Sequence, residues 1–197
     1  MTQNLAENGG LIAQEQANRL LAWLADDGER MAALAEAAAL ELPDWCLAAG
    51  FVRNLAWDRL YRPGMPTPLN DLDLIYFDPN DSRPERDRAL ERQLRLHSAR
   101  PWSVKNQARM HLRNADQPYA GCADAMRYWV EIETAVGARL WPSSGQLSLV
   151  APFGIEALFA GTITMNLDRP KPATFRHRVE SKRWLEHWPG LQLKLPA

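Results

Sequence analysis

Two aspartates at the head of an apolar segment constrain the fold and chemistry of this chain more than any other feature. Residues 68 to 78 read PLNDLDLIYFD, with Asp71 and Asp73 one residue apart. The apolar run predicts a buried strand over 69–77, and strand alternation puts both aspartates on one face, about 6.5–7 Å apart at their α-carbons. Like charges beside a core are costly unless a cation lies between them, so the pattern indicates a site for Mg²⁺ or Mn²⁺. The alternative is a turn in which Asp73 points to water.

The composition excludes several classes of protein. The 197 residues are 46% hydrophobic and 24% charged with a net charge of −1, which is typical of a globular protein and gives no general attraction to nucleic acid or membranes. No zinc-ligand spacing, P-loop, GxGxxG or GxSxG pattern occurs. Cys46 and Cys122 lie far apart in apolar stretches, which favours free thiols and a cytoplasmic protein.

A strand, a glycine and a helix precede the aspartates. The apolar residues 45–49 predict a short strand, Gly50 follows, and 51–60 has apolar residues at helical spacing. Such a turn directs free backbone N–H groups and the positive end of a helix dipole to one point, which predicts a phosphate site that Arg53 could reach. Alternatively, Gly50 only permits a tight turn and Arg53 is solvated.

The rest of the chain alternates between helices and strands, which indicates an α/β or α+β protein. Further strands are expected at 102–112, within 134–140 and at 146–150. Further helices are expected at 11–27, 29–40, 85–97, 153–160 and 174–188. We divide the chain into an N-terminal helical segment (1–43), a core (44–165) and a C-terminal helical extension packed on the core (166–197).

These motifs, in this order, resemble the nucleotidyltransferases of the DNA polymerase beta superfamily, and more specifically a bacterial family of nucleotidyltransferase-like proteins without a defined substrate. The resemblance implies an α+β palm, with a mixed β-sheet, helices packed on one face and additional N- and C-terminal helices. The matching stretches are DWCLAAGFVRN (44–54), TPLNDLDLIYFD (67–78), WSVKNQARMH (102–111), TAVGARL (134–140) and APFGIEALF (151–159).

The resemblance also implies a set of site residues. Asp71 and Asp73 would hold the metal ion, and Gly50, Arg53 and Asn54 would bind the nucleotide. The strand expected at 102–112 turns Lys105, Gln107, Arg109 and His111 to one face, where the first three could also bind the nucleotide.

The superfamily usually carries a third carboxylate on a strand after the D-x-D strand. WSVKNQARMH contains no acid, so Glu131 or Glu133 would have to supply it, and we favour Glu131 as the third catalytic residue.

The function expected from the resemblance is metal-dependent transfer of a nucleoside monophosphate from an NTP to a small-molecule or protein acceptor. The alternative is a nucleotide-binding or regulatory protein with a degenerate site, which the missing acid favours. A protein without a ligand is a third possibility. We expect neither a nucleic acid nor a membrane as a partner.

Overall fold

The N-terminal part of the chain forms two helices. The structure is a computed structural model that describes residues 2–195, with side chains from residue 10 onward. Helix α1 (Thr2–Ala25) begins before the helix expected at 11–27, and α2 (Gly28–Ala38) matches the expected second helix. The Asp27 side chain accepts a hydrogen bond from the Arg30 N–H, which caps α2 and separates it from α1.

A five-stranded mixed sheet forms the centre of the fold. Its strands are β1 (Trp45–Ala48), β2 (Leu72–Tyr76), β3 (Trp102–Asn106), β4 (Gly137–Trp141) and β5 (Gln146–Val150), in the spatial order β3-β2-β1-β4-β5. Only the β2–β3 pair is parallel within this sheet. The expected α+β fold, with the first three strands in one mixed sheet, is confirmed.

The two faces of the sheet have different environments. On one face, alternate residues of β1, β2 and β3 join the main core with α2, α3 (Gly50–Tyr61) and α4 (Pro84–His97). Ala48, Asp73 and Ser103 are neighbours across the strands on the other face. That face is partly covered by α6 (Cys122–Met126), which packs against Cys46 and Ile75. Asp73 therefore points away from the helical core.

The prediction of a strand over 102–112 is wrong beyond Asn106, where β3 ends. A 3₁₀ turn (Gln107–Arg109) and α5 (Met110–Asn114) replace its second half. Asn106 is fully buried, and its side-chain amide donates to the carbonyl oxygens of Asp78 and Asp81 while its oxygen accepts from Ala108 N. These bonds end the strand, because the following backbone bonds to a side chain instead of the ladder.

This turn separates the residues that strand alternation had placed on one face. Arg109 forms an ion pair with Asp87, a buried residue of α4, and does not face the aspartate pair. His111 lies in α5 with its ring edge-on to Tyr119. The expected polar stripe is therefore limited to Lys105 and Gln107.

The C-terminal part contains α7 (Glu156–Ala160), β6 (Thr162–Thr164), α8 (Pro172–Ser181), α9 (Trp184–His187) and β7 (Gln192–Lys194). The prediction of a single helix over 174–188 is wrong, because Arg183 adopts a left-handed conformation (φ 51°) between α8 and α9. The parallel pair β6–β7 was not predicted. Trp184 and Trp188 pack edge-on to Trp57 of α3, with centroids 5.9 and 5.2 Å away, which holds α9 against the core.

No helix among the described residues is long and apolar enough to cross a membrane.

Candidate functional site

A cavity of about 490 Å³ lies beside the exposed face of β1 and β2. We call it the first cavity. It is bordered by the start of α3, the loop before β2, and α8 and α9. Its lining residues include Gly50, Arg53, Asn54, Asn70, Asp71, Asp73, Thr134, Arg178, Lys182, Trp184 and His187. The fold thus brings five of the residues predicted from the sequence into one cavity, namely Gly50, Arg53, Asn54, Asp71 and Asp73.

The two aspartates enter the first cavity from different backbone environments. Asp71 is exposed in the loop that precedes β2, whereas Asp73 lies within β2, opposite Ala48 of β1 and beside Ser103 of β3. Burial, together with the negative charge of Asp71, raises the pKa of Asp73 to about 6. The Ser103 hydroxyl and the more distant Lys182 and Arg53 oppose this shift.

The chemistry of this pair fits a hard divalent cation. Carboxylate oxygens are the ligands that Mg²⁺ takes in proteins, usually one or two carboxylates together with water and substrate phosphates. The raised pKa of Asp73 shows that the charge on this carboxylate is poorly compensated by the protein alone. Asp71 and Asp73 are therefore the residues of the described chain that could hold Mg²⁺ or Mn²⁺ here.

The start of α3 supplies unpaired backbone donors. Ala49 has φ 57°, and its N–H bonds to Val136 O, so the strained residue of this turn is the alanine and not Gly50. A Cβ added to Gly50 would meet nothing closer than 3.5 Å. Within the described residues the N–H groups of Gly50 and Phe51 have no hydrogen-bond partner, as expected at the start of a helix.

Arg53 provides a second indication of an anion site. Its guanidinium donates to Thr134 Oγ1 (2.7 Å) and Asn54 Oδ1 (2.9 Å), and it lies 4.6 Å from the ring centroid of Trp184. The side chain is buried, yet its Nε has no partner among the described residues. Burial lowers the pKa of Arg53 to about 10, so the group remains a cation at neutral pH. A buried cation that lines a cavity is suited to a phosphate group.

A second cavity of about 330 Å³ adjoins the first. The two share Ala49, Asp73, Thr134 and Arg178 in their walls. Of the remaining residues predicted from the sequence, Lys105, Gln107 and Glu131 line this second cavity, whereas Arg109 lines neither of the two.

The acids considered for the third carboxylate have partners of their own. Glu131 is 1% exposed, and its oxygens accept from Arg178 Nε (2.7 Å) and Nη2 (3.1 Å). Glu133 accepts from Thr162 Oγ1 (2.7 Å) and Thr164 N (2.9 Å), and burial raises its pKa. The residues described contain no group of three or more His, Cys, Asp or Glu side chains arranged for a metal ion.

Sequence reasoning missed the contribution of the C-terminal helices. The first cavity is also lined from α8, from α9 and from the turn between them, more than a hundred residues further along the chain. These residues are Arg178, Lys182, Trp184 and His187. No local pattern marks them, because their position depends on the break at Arg183 and on the packing of Trp184 against Trp57.

We expect Asp73→Asn to stabilise the metal-free protein in a pH-dependent manner. The folded pKa of Asp73, about 6, lies above its ordinary value of 3.8. The parent therefore loses stability as the pH rises through about 6, whereas the asparagine variant does not. The variant should unfold with a free energy roughly 1–2 kcal/mol higher at about pH 8, and the difference should vanish near pH 4.

Urea unfolding in the presence of EDTA measures this difference at both pH values. Asp26→Asn, an exposed position outside both cavities, serves as the control and should show no such dependence. If Asp73→Asn raised the free energy of unfolding equally at both pH values, the raised pKa could not be assigned to Asp73.

The fold is that of the polymerase-beta-like nucleotidyltransferases. A solved NMR structure described as revealing a CCA-adding enzyme head domain superposes with a TM-score of 0.77 at 30% sequence identity, covering 91% of this chain and 96% of that chain. A nucleotidyltransferase family model matches residues 35–193. The chain belongs to this nucleotidyltransferase family. No curated protein matches the sequence significantly.

Proposed function

We propose that the protein transfers a nucleoside monophosphate from an NTP to the hydroxyl group of an acceptor and depends on a divalent metal ion. One observation carries the proposal. Asp71 and Asp73 share a cavity with Gly50, whose N–H at the start of α3 has no partner among the described residues, and with the buried cationic side chain of Arg53. The family implies an NTP as substrate, and this arrangement offers a metal site and a phosphate site at adjoining positions.

Each part of the first cavity has a proposed role. Asp71 and Asp73 would hold Mg²⁺, which when bound offsets negative charge on the triphosphate. Gly50, Asn54 and Arg53 would bind the phosphates that leave as pyrophosphate, and Lys182 would add a further positive charge at the mouth. Lys105 and Gln107, which the resemblance assigned to the nucleotide, line the second cavity and would contact the substrate from that side.

The reaction exchanges one P–O bond for another. The acceptor oxygen forms a bond to the α-phosphorus, and the bond from that phosphorus to the bridging oxygen of the β-phosphate breaks. Pyrophosphate leaves with the electron pair. We assign the proton of the acceptor hydroxyl to Glu131, which lines the second cavity together with Asp73.

Calorimetry and labelling together test the proposed function. The parent should bind the non-hydrolysable analogue AMPCPP with Mg²⁺ and much more weakly with EDTA. Incubation with α-³²P-labelled NTPs and a small-molecule extract should yield a labelled product and pyrophosphate. The proposal is wrong if Mg·AMPCPP and its analogues with the other bases all fail to bind.

Replacing Arg53 should weaken nucleotide binding strongly. Arg53→Met removes a buried cation and its donors to phosphate, so the Kd of Mg·AMPCPP should rise roughly 30-fold, in line with about 2 kcal/mol for a charge-assisted hydrogen bond. Arg59→Met, the same change on an exposed residue of the same helix outside both cavities, is the control and should leave Kd unchanged. An equal loss in both variants would assign the effect to overall charge instead.

A second candidate function is nucleotide binding without turnover. It is favoured by Ser103, which occupies the position beside Asp73 on the neighbouring strand β3. Under this alternative, the protein binds Mg·AMPCPP, but incubation with labelled NTPs yields no product with any acceptor in the extract.

A further inference from the structure

The second cavity opens onto the same aspartate as the first, but Gly50, Arg53 and Asn54, the residues proposed to bind the phosphates, do not line it. We propose that it binds the acceptor, and that the acceptor is a small organic anion with an aromatic or apolar body and a hydroxyl group. This inference rests on the proposed function and specifies its unknown substrate. Three kinds of feature carry it: the apolar wall, the positive charges and the junction with the first cavity.

The wall of the second cavity is largely apolar on one side. Ile75 projects from the same face of β2 as Asp73. Met110 comes from α5, and Tyr128, Trp129 and Val130 come from the segment after α6. The ring centroids of Tyr119 and Tyr128 lie 5.0 Å apart, so Tyr119 packs against Tyr128 and helps to fix the position of its ring. Flat aromatic side chains beside an aliphatic floor suit a ring or another compact apolar group.

The charged groups of the second cavity include one cation, Lys171, that is suited to an anion, whereas the carboxylate of Asp73 at the boundary is assigned to the metal ion. Lys105 is paired with Glu91 of α4 (3.0 Å), and Arg178 is paired with Glu131. Lys171 also lines the cavity and takes part in no salt bridge among the described residues, and its Nζ is 3.4 Å from the carbonyl oxygen of Tyr128. This ammonium group is partly buried and lacks an acidic partner, so it can bind a carboxylate or phosphate group of a ligand.

The junction with the first cavity explains why this ligand would be the acceptor. Asp73, Thr134 and Arg178 belong to both walls, so a hydroxyl group at this boundary lies next to the phosphates held in the first cavity. Glu131 lines the same side and would receive the proton of that hydroxyl. A volume of about 330 Å³ is at the small end of the range for ligand pockets, which favours a small molecule over a polymer.

Protein-detected NMR with 4-hydroxybenzoate tests the inference, since this probe combines a ring, a hydroxyl and a carboxylate. In the presence of saturating Mg·AMPCPP, we expect it to shift the resonances of Trp129, Val130 and Ile75, with a Kd on the order of 1 mM for so small a ligand. Asn54 and Thr67, which line only the first cavity, should respond to Mg·AMPCPP and not to the probe.

Two matched variants separate the cavities. Lys171→Met should weaken the probe roughly tenfold, the effect of losing one ion pair in a partly buried site, and should leave the Kd of Mg·AMPCPP unchanged. Lys182→Met, the same change in the first cavity, should weaken Mg·AMPCPP and leave the probe unaffected. This crossed pattern supports two ligands in two cavities.

The possible failures are distinguishable. If Mg·AMPCPP binds but the probe shifts no residue of the second cavity, or if the two compete, the acceptor inference is wrong and the proposed function stands. Competition would mean that the nucleotide itself extends into the second cavity. If the probe shifts the second cavity but Mg·AMPCPP does not bind, the proposed function is wrong and with it the acceptor role.

Discussion

Replacing Asp71 and Asp73 together by asparagine should abolish metal-dependent nucleotide binding and reduce any transfer by at least roughly 10³-fold. Both carboxylates enter the first cavity, and the change removes the charges that a divalent cation requires. Asparagine is nearly isosteric with aspartate, so the fold should persist. The metal-free variant should be more stable than the parent, because the charge that is poorly compensated at Asp73 is gone.

The measurement compares Mg·AMPCPP binding by calorimetry with thermal unfolding of the same samples. Asp26→Asn again provides a matched carboxylate outside the cavities. Loss of binding with an unchanged or raised melting temperature is the expected result. A double variant that binds Mg·AMPCPP like the parent, or that unfolds, would show that the aspartates form a turn or a structural pair and not a metal site.

The parts of this site that could be predicted are encoded locally. A strand followed by Gly50 and a helix, and then two aspartates at the start of an apolar strand, are patterns within about ten residues each. Both patterns form, but β2 begins at Leu72 and not at Leu69 as predicted, which leaves Asp71 in the preceding loop. The alternation of Leu72, Leu74 and Tyr76 with Asp73 also determined which face of β2 would be buried. The sheet and its first three strands follow from these signals.

Other parts depend on contacts between distant residues, which a single sequence does not reveal. Alternation predicted a strand through residue 112, but the buried Asn106 bonds to the backbone around 78–81 and turns the chain. Arg109 consequently pairs with Asp87 and not with a ligand. In the same way, the left-handed Arg183 divides the last predicted helix, and this break is accompanied by the approach of Lys182 and Trp184 to the first cavity.

The third carboxylate is the part of the predicted site on which the choice between an enzyme and a binding protein depends. Ser103 occupies the position beside Asp73 on β3, so an acid must come from elsewhere. Glu131 lies on the wall of the second cavity, where its ion pair with Arg178 fixes its orientation. Glu133, two residues on, is instead bonded to Thr162 and Thr164 and lines neither of the two cavities.

Glu131→Gln should therefore lower kcat by about 100-fold, the usual loss for a missing general base, and leave the Kd of Mg·AMPCPP unchanged. The Kd of Mg·AMPCPP distinguishes a general base from a positioning residue, because Arg178, the partner of Glu131, also lines the first cavity. If Glu131 only positioned Arg178, the substitution would weaken nucleotide binding together with turnover. Glu133→Gln is the matched control, which should alter stability but keep kcat within a few-fold of the parent. Similar kcat values for the two variants would remove Glu131 from the proposed mechanism and favour nucleotide binding without turnover.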